Sequence, residues 1–277
     1  MTRIIPRVFN GMSEFGRHDG TAYELHGAAG APLIVLIHGL GLCRHLWEDH
    51  IDALCTNHRV LSYDLWGHGQ SAPLPEAASL TVYAQQLAGL MNALDTGPAA
   101  IVGFSIGGMI NRRFALDFPE LVTDLVILNS PHDRGDAAQT AVEDRAAKVR
   151  EQGAFATFDA ALARWFTPEF RAANPAVMDL VRDWRGLVDA ESYAQAAWIL
   201  ANGVRELIRP DPRITARTLV MTCQADSGST PAMSHAITRE IEGAETLIIP
   251  HLQHLGLMEN PWAFTSPILK FLEGTMP

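Results

Sequence analysis

Cysteine is scarce in this chain. Cys43, Cys55 and Cys223 are too far apart for a CxxC metal site and too few for a disulfide framework, which fits a reducing compartment. They read as small core fillers. Long apolar runs are missing as well: no stretch approaches the length of a membrane span, and the opening MTRIIPRVFNGMSEFGRHDG has no apolar segment of the kind a secretory signal carries. Positive charge is in deficit. A formal net charge of -10 at pH 7 repels nucleic acid and anionic membrane at long range, so neither is an expected partner. Internal repeats, heptads and low-complexity blocks are absent too, so organisation must come from alternating strands and helices. The expectation is a soluble, cytoplasmic protein with a small-molecule ligand and no metal or organic cofactor. No sequence feature fixes its oligomeric state.

What is present is enough for a full core: 277 residues, 48% hydrophobic and 19% charged, are expected to form one large α/β domain rather than two independent ones. Short runs rich in Val and Ile recur as LIVLIHG (33–39), RVLSYD (59–64), AAIVGFS (99–105), DLVILNS (124–130), TLVMTC (218–223) and TLIIPH (246–251). Helical segments separate most of them, the pattern of a parallel sheet covered on both faces. SLTVYAQQLAGLMNALD repeats its apolar positions at helical spacing and is expected to be capped by Ser79 or Thr81. From about residue 132 to 212 the strand pattern gives way to FATFDAALARWF, PAVMDLVRDWRGL and SYAQAAWILANGVRELI. A helical insertion between two strands reads as a cap over the carboxyl edge of the sheet, where ligands of such sheets bind. The expected division is therefore a core of 1–131 and 213–277 with a cap of 132–212.

One short stretch carries chemistry. Gly103, Ser105 and Gly107 form G-x-S-x-G directly after an apolar strand and directly before a helix, the setting of a nucleophile elbow. A serine hydroxyl needs a histidine to take its proton and an acid to orient that histidine, in the chain order Ser, acid, His. Asp226, in TCQADSGSTP after a buried-type strand, is the favoured acid, and Asp133, past the strand ending at Ser130, is the alternative. After the next strand, IIPHLQHLGLMENPWAF offers His251 and His254, with His254 preferred. The glycine-rich turn HGLGL (38–42) can present a backbone N–H to a developing oxyanion, so Leu40 and Ile106 are the candidate donors. Its GLG has no third glycine at the spacing of a dinucleotide fingerprint. DLWGHGQS (64–71) reads as a rigid structural turn, with His68 structural inside it.

Taken in order, HGLG, DLWGHGQS, VGFSIGG, ADSGSTP and HLGLMENP resemble the α/β-hydrolase superfamily over essentially the whole chain. Within it, RWFTPEFR (164–171), LVILNSPHDRG and SYAQAAWIL are most similar to the 3-oxoadipate enol-lactonase-like hydrolases. The resemblance implies an α/β-hydrolase fold: a mostly parallel central sheet flanked by helices, with a helical cap inserted after the sixth strand. It also selects His254, since the family histidine precedes an acidic residue and then a proline, here Glu259 and Pro261. This chain departs from those lactonases in reading His38-Gly39 for Asn-Ser, Cys223 for a glycine, and LANGVREL where an acidic residue usually follows the cap helix. The departures leave the substrate open.

The expected activity is hydrolysis of a small carboxylic ester or lactone, an enol-lactone included, through an acyl-enzyme. Phe104 and Met109 with Trp165 and Trp198 are the candidate pocket residues, beside Phe166 and Trp184, and Arg164, Arg185 or Arg205 is a candidate partner for a substrate carboxylate. Rival readings are the same constellation acting on an amide or a C–C bond, perhydrolysis or cofactor-free oxygenation, and a cap-gated sensor with slow or no turnover.

Overall fold

A computed structural model describes residues 13–276. The first twelve residues of the opening stretch read above, and Pro277, lie outside the described residues. Eight strands form one sheet: β1 (Ser13–His18), β2 (Thr21–His26), β3 (Leu33–Ile37), β4 (Arg59–Tyr63), β5 (Ala99–Phe104), β6 (Val122–Leu128), β7 (Arg217–Cys223) and β8 (Glu245–Ile249). Their order is β1-β2-β4-β3-β5-β6-β7-β8. β2 runs antiparallel to both neighbours, and the pairs from β4 through β8 are parallel.

Eleven α-helices are described: α1 (Glu48–Leu54), α2 (Leu80–Ala93), α3 (Ile106–Asp117), α4 (Asp136–Gln152), α5 (Phe158–Trp165), α6 (Pro168–Ala173), α7 (Pro175–Gly186), α8 (Ala190–Asn202), α9 (Pro231–Glu240), α10 (Gly256–Glu259) and α11 (Trp262–Leu272). Ser79, not Thr81, caps α2, its hydroxyl accepting from the Val82 amide at 3.0 Å. Alternate residues of the strands feed two cores. Val35, Ile37 and Ile101 pack with α2, α3 and Ile237 of α9, while Ile34, Leu36 and Val102 pack with α1 and α11. Such two-sided burial explains why the parallel strands read as unbroken apolar runs rather than as alternation.

Helices α4 to α8 fill the connection from β6 to β7. They are fastened to the rest of the chain by polar contacts with fixed partners. Thr167 binds the Glu259 carboxylate through both its amide (2.8 Å) and its hydroxyl (2.7 Å), the Leu255 amide donates to the Trp165 carbonyl (2.8 Å), and the Leu74 amide to the Ser192 hydroxyl (3.0 Å). Phe158, Leu162, Phe166, Val181 and Trp184 extend the second core upward from the sheet.

Two further features bear on the sequence reading. The 64–71 turn is held by Asp64, which is wholly buried and accepts from the Arg44 guanidinium (2.5 Å) and the Gln70 amide (2.8 Å). His68 is buried in that turn, its Nδ1 against the Trp66 carbonyl (3.1 Å). Among the described residues no helix is long and apolar enough to cross a membrane, and no group of His, Cys, Asp and Glu is placed to hold a metal ion.

Candidate active site

The strand order reverses direction around β3 and β5, because the chain passes from β3 outward to β4 and then back across to β5. At such a switch point the loops at the carboxyl ends of the two strands part and leave a crevice. Ser105 closes β5 and Gly39 follows β3, so both stand at its mouth.

Ser105 has φ 58° and ψ -114°, a left-handed conformation that a serine holds only when its surroundings impose it. Those surroundings need glycine. A Cβ on Gly107 would stand 2.5 Å from the Ile37 carbonyl and 2.8 Å from that of His38, and a Cβ on Gly103 would collide with the Gly107 backbone. The turn therefore packs strand against helix through bare backbone and lifts the hydroxyl toward the cavity.

Asp226 and His254 arrive on the loops after β7 and β8. His254 Nδ1 lies 2.6 Å from Asp226 Oδ2, and Nε2 lies 3.2 Å from Ser105 Oγ. A carboxylate only accepts, so Nδ1 carries the imidazole proton and Nε2 presents its lone pair to the serine hydroxyl. Asp226 is buried and accepts three more bonds, from Asn129 Nδ2 (2.8 Å), the Gly228 amide (2.8 Å) and the Ser229 amide (2.9 Å). Burial pushes its carboxyl up, but the facing His254 and the bonds from Asn129 and Ser229 outweigh it and hold the group below the ordinary carboxylate range. The Phe104 ring lies 5.0 Å from the His254 ring between centroids and Trp165 lies 6.4 Å away, an apolar flank for the imidazole.

His38 fixes the turn after β3. The Leu65 amide donates to its Nε2 (3.0 Å), so Nδ1 is the protonated nitrogen and donates to the Gly39 carbonyl at 2.8 Å. The Gly39 carbonyl and the Leu40 N–H belong to one peptide plane and point oppositely in a trans peptide. Tying down the carbonyl thus aims the Leu40 N–H. Neither this amide nor that of Ile106, the first residue of α3, meets an acceptor among the described residues.

A cavity of about 130 Å³ opens here, of the order that admits a benzene-sized ligand. Leu40, Phe104, Ser105, Asp226 and His254 line its floor, and residues of α4, α5, α7 and α8 line its roof. Trp165 is among them, with Arg164 and Arg185.

Other candidates fall elsewhere. Met109 is wholly buried in the first core, one helical turn past the elbow and facing the sheet, and does not line the cavity. Trp198 is 52% exposed, because α8 turns Tyr193, Ala194, Ala197 and Ala201 inward. Phe166 and Trp184 are buried packing residues outside the lining. Asp133 is exposed and caps the turn into α4 by accepting from the Gly135 amide (3.0 Å). His251 is exposed, and Arg205 pairs with Glu143 at 3.0 Å away from the cavity. The polar lining or supporting residues that were not foreseen include Asn129, Arg134 and Arg145. Asn129 offered one signal, a polar residue directly after an apolar strand; no local pattern marks Arg134 or Arg145.

A family model described as the alpha/beta hydrolase fold matches residues 32–173, just over half of the chain. The (E)-2-((N-methylformamido)methylene)succinate hydrolase of Acinetobacter baylyi is 27% identical over 257 residues, covering 92% of this chain and 95% of that protein. The 3-oxoadipate enol-lactonase 2 of the same organism is 28% identical over 247 residues, covering 89% and 90%. Among solved structures, the enol-lactonase from Burkholderia xenovorans LB400 superposes with a TM-score of 0.82 at 28% identity, over 94% of this chain and 100% of that one. Fold, motif order and family match agree, and the chain belongs to the α/β-hydrolase family.

Proposed function

We propose that this protein is a serine hydrolase that cleaves a small carboxylic ester or lactone through an acyl-enzyme. The reading rests on one observation above the rest: three side chains from distant parts of the sequence make an unbroken hydrogen-bond chain from Asp226 through His254 to Ser105 at the floor of a small cavity. In the first step the Ser105 Oγ–H proton passes to His254 Nε2 as Oγ bonds to the substrate carbonyl carbon. The negative charge that develops on the carbonyl oxygen is taken by the N–H groups of Leu40 and Ile106. Asp226 holds the imidazolium. Collapse of the adduct breaks the bond to the leaving oxygen, which takes the proton from His254. Water then attacks the acyl-serine by the same route and frees the acid. The helices between β6 and β7 act as the cap, and the substrate is a small molecule handled without metal or organic cofactor.

The enol-lactonase relatives favour a lactone or enol ester as the scissile group. A second reading, cleavage of an amide by the same residues, draws on the Acinetobacter baylyi hydrolase, whose named substrate carries an N-methylformamido group. The test is a panel of short and long acyl esters, enol-lactones, saturated lactones and amides, run with wild type and Ser105→Ala. Serine-dependent turnover of an ester or lactone is expected. Turnover confined to amides would shift the proposal to the second reading, and none on any compound would overturn both.

A further inference from the structure

On the premise that the cavity is the substrate site proposed above, we infer that Arg145 and Arg164 form a clamp for a free carboxylate on the acyl portion of the substrate, remote from the scissile carbonyl. The cavity is lined by four arginines, Arg134, Arg145, Arg164 and Arg185, and by a single acidic residue, Asp226. Asp226 is already committed to His254, Asn129 and two backbone amides. Among the described residues, no carboxylate of the cavity wall makes a hydrogen bond or ion pair to any of the four guanidinium groups.

Two of the four have structural work. Arg185 is 1% exposed, donates to the Ala154 carbonyl (2.9 Å) and lies over the Tyr193 ring (4.7 Å). Arg134 is fastened to the carbonyls of Leu200 (2.8 Å) and Ala201 (3.2 Å). The other two are poised. Arg164 uses only Nε, bonded to the Ala160 carbonyl within its own helix (3.2 Å), and both its Nη groups remain for a ligand. Arg145, in the middle of α4, has no hydrogen bond or ion pair among the described residues. Outward-facing arginines of the same helical region behave differently: Arg150, Arg182 and Arg205 each meet a carboxylate.

The poised pair also repel one another. Burial, and then the charge of Arg164, push the Arg145 guanidinium below its ordinary range; burial does the same to Arg164, opposed by the charge of Asp226. Holding two partly desolvated like charges together is unfavourable, and an anion between them reverses the sign of the interaction. Arg164 adjoins Trp165, whose ring lies 6.4 Å from that of His254, and Arg145 lines the same cavity from α4. A planar carboxylate matches guanidinium forks, and the cavity volume limits the acyl chain between carboxylate and carbonyl to a few carbons.

The test compares the mono-4-nitrophenyl ester of glutaric acid with 4-nitrophenyl pentanoate, which share leaving group and chain length but differ in the terminal carboxylate. Wild type should prefer the acid ester in kcat/KM by about 10- to 100-fold, the worth of one or two charge-assisted hydrogen bonds. Arg145→Met and Arg164→Met should each bring that ratio toward unity, mainly through KM for the acid ester. Arg205→Met, outside the cavity, should keep the wild-type ratio. Glutarate itself, titrated calorimetrically, should bind wild type and Ser105→Ala alike and bind Arg145→Met and Arg164→Met about tenfold or more weakly. The titration judges the clamp even if neither ester is turned over, an outcome that would count against the hydrolase reading alone. Glutarate binding that is absent from wild type, or equal in the two arginine variants, overturns the clamp, as does a wild-type ester ratio near unity.

Discussion

Replacing Asp226 by Asn removes one charge and keeps the shape of the side chain, and the donors around it dictate the outcome. Oδ1 accepts from the Gly228 and Ser229 amides, and Oδ2 accepts from His254 Nδ1 and Asn129 Nδ2. Two backbone N–H groups cannot turn away, so the single oxygen of the new amide takes the Oδ1 position and its NH2 faces His254 and Asn129. Asn129 can exchange its amide ends, since its Oδ1 has no partner in the native arrangement. His254 has no such exchange available. It must present a lone pair at Nδ1, which moves the ring proton to Nε2, the nitrogen that should accept from Ser105. The expected loss is about 10³- to 10⁴-fold in kcat, or about 4–5.5 kcal/mol of transition-state stabilisation. Folding should change by no more than about 3 kcal/mol, the upper end for a hydrogen bond to a charged group. Stopped-flow acylation by the best ester of the panel gives the first number, and urea unfolding gives the second. A folded Asp226→Asn protein within tenfold of the wild-type kcat would refute the assigned tautomer and the role given to the carboxylate.

Three further outcomes follow from the same geometry. Gly107→Ala forces a methyl against the Ile37 and His38 carbonyls, which are backbone and cannot swing aside, and should lower stability by about 1–3 kcal/mol in a urea titration while displacing the elbow. His38→Leu leaves the Gly39 carbonyl and the Leu65 amide without their partner; kcat should fall about 10- to 100-fold as the Leu40 N–H loses its aim, with KM changing less. His50 and His68 are buried with pKa values pushed down by desolvation to about 4 and about 3. The unfolded chain protonates each near 6.5 and the folded chain does not until well below pH 5, so stability falls as pH drops through this window. Between pH 7.5 and 5 the loss should be about 2 kcal/mol per histidine, read as a lower urea midpoint; an unchanged midpoint would contradict it.

Where burial is two-sided, the sequence is easy to read. The six apolar runs fall on β3 to β8, and G-x-S-x-G lies between β5 and α3 because a strained turn at that junction excludes larger residues. The β1–β2 hairpin left no comparable trace, since β1 is almost wholly exposed and neither strand carries an apolar run. Helical phase was the weak point. Met109 and Trp198 look like pocket residues by type, but their positions on α3 and α8 send one into the core and the other into solvent. Asn129 meets Asp226, 97 positions away, and Arg145 shares the cavity wall with Arg164, 19 positions away; nothing local to either residue encodes that placement.

The central claim is that the Ser105 hydroxyl is made nucleophilic by His254, and covalent trapping measures it directly. An alkyl fluorophosphonate followed by peptide mass mapping should give one adduct, on Ser105, formed far more slowly in His254→Gln and not at all in Ser105→Ala. Labelling of another residue instead, or an equal rate in wild type and His254→Gln, would contradict the account.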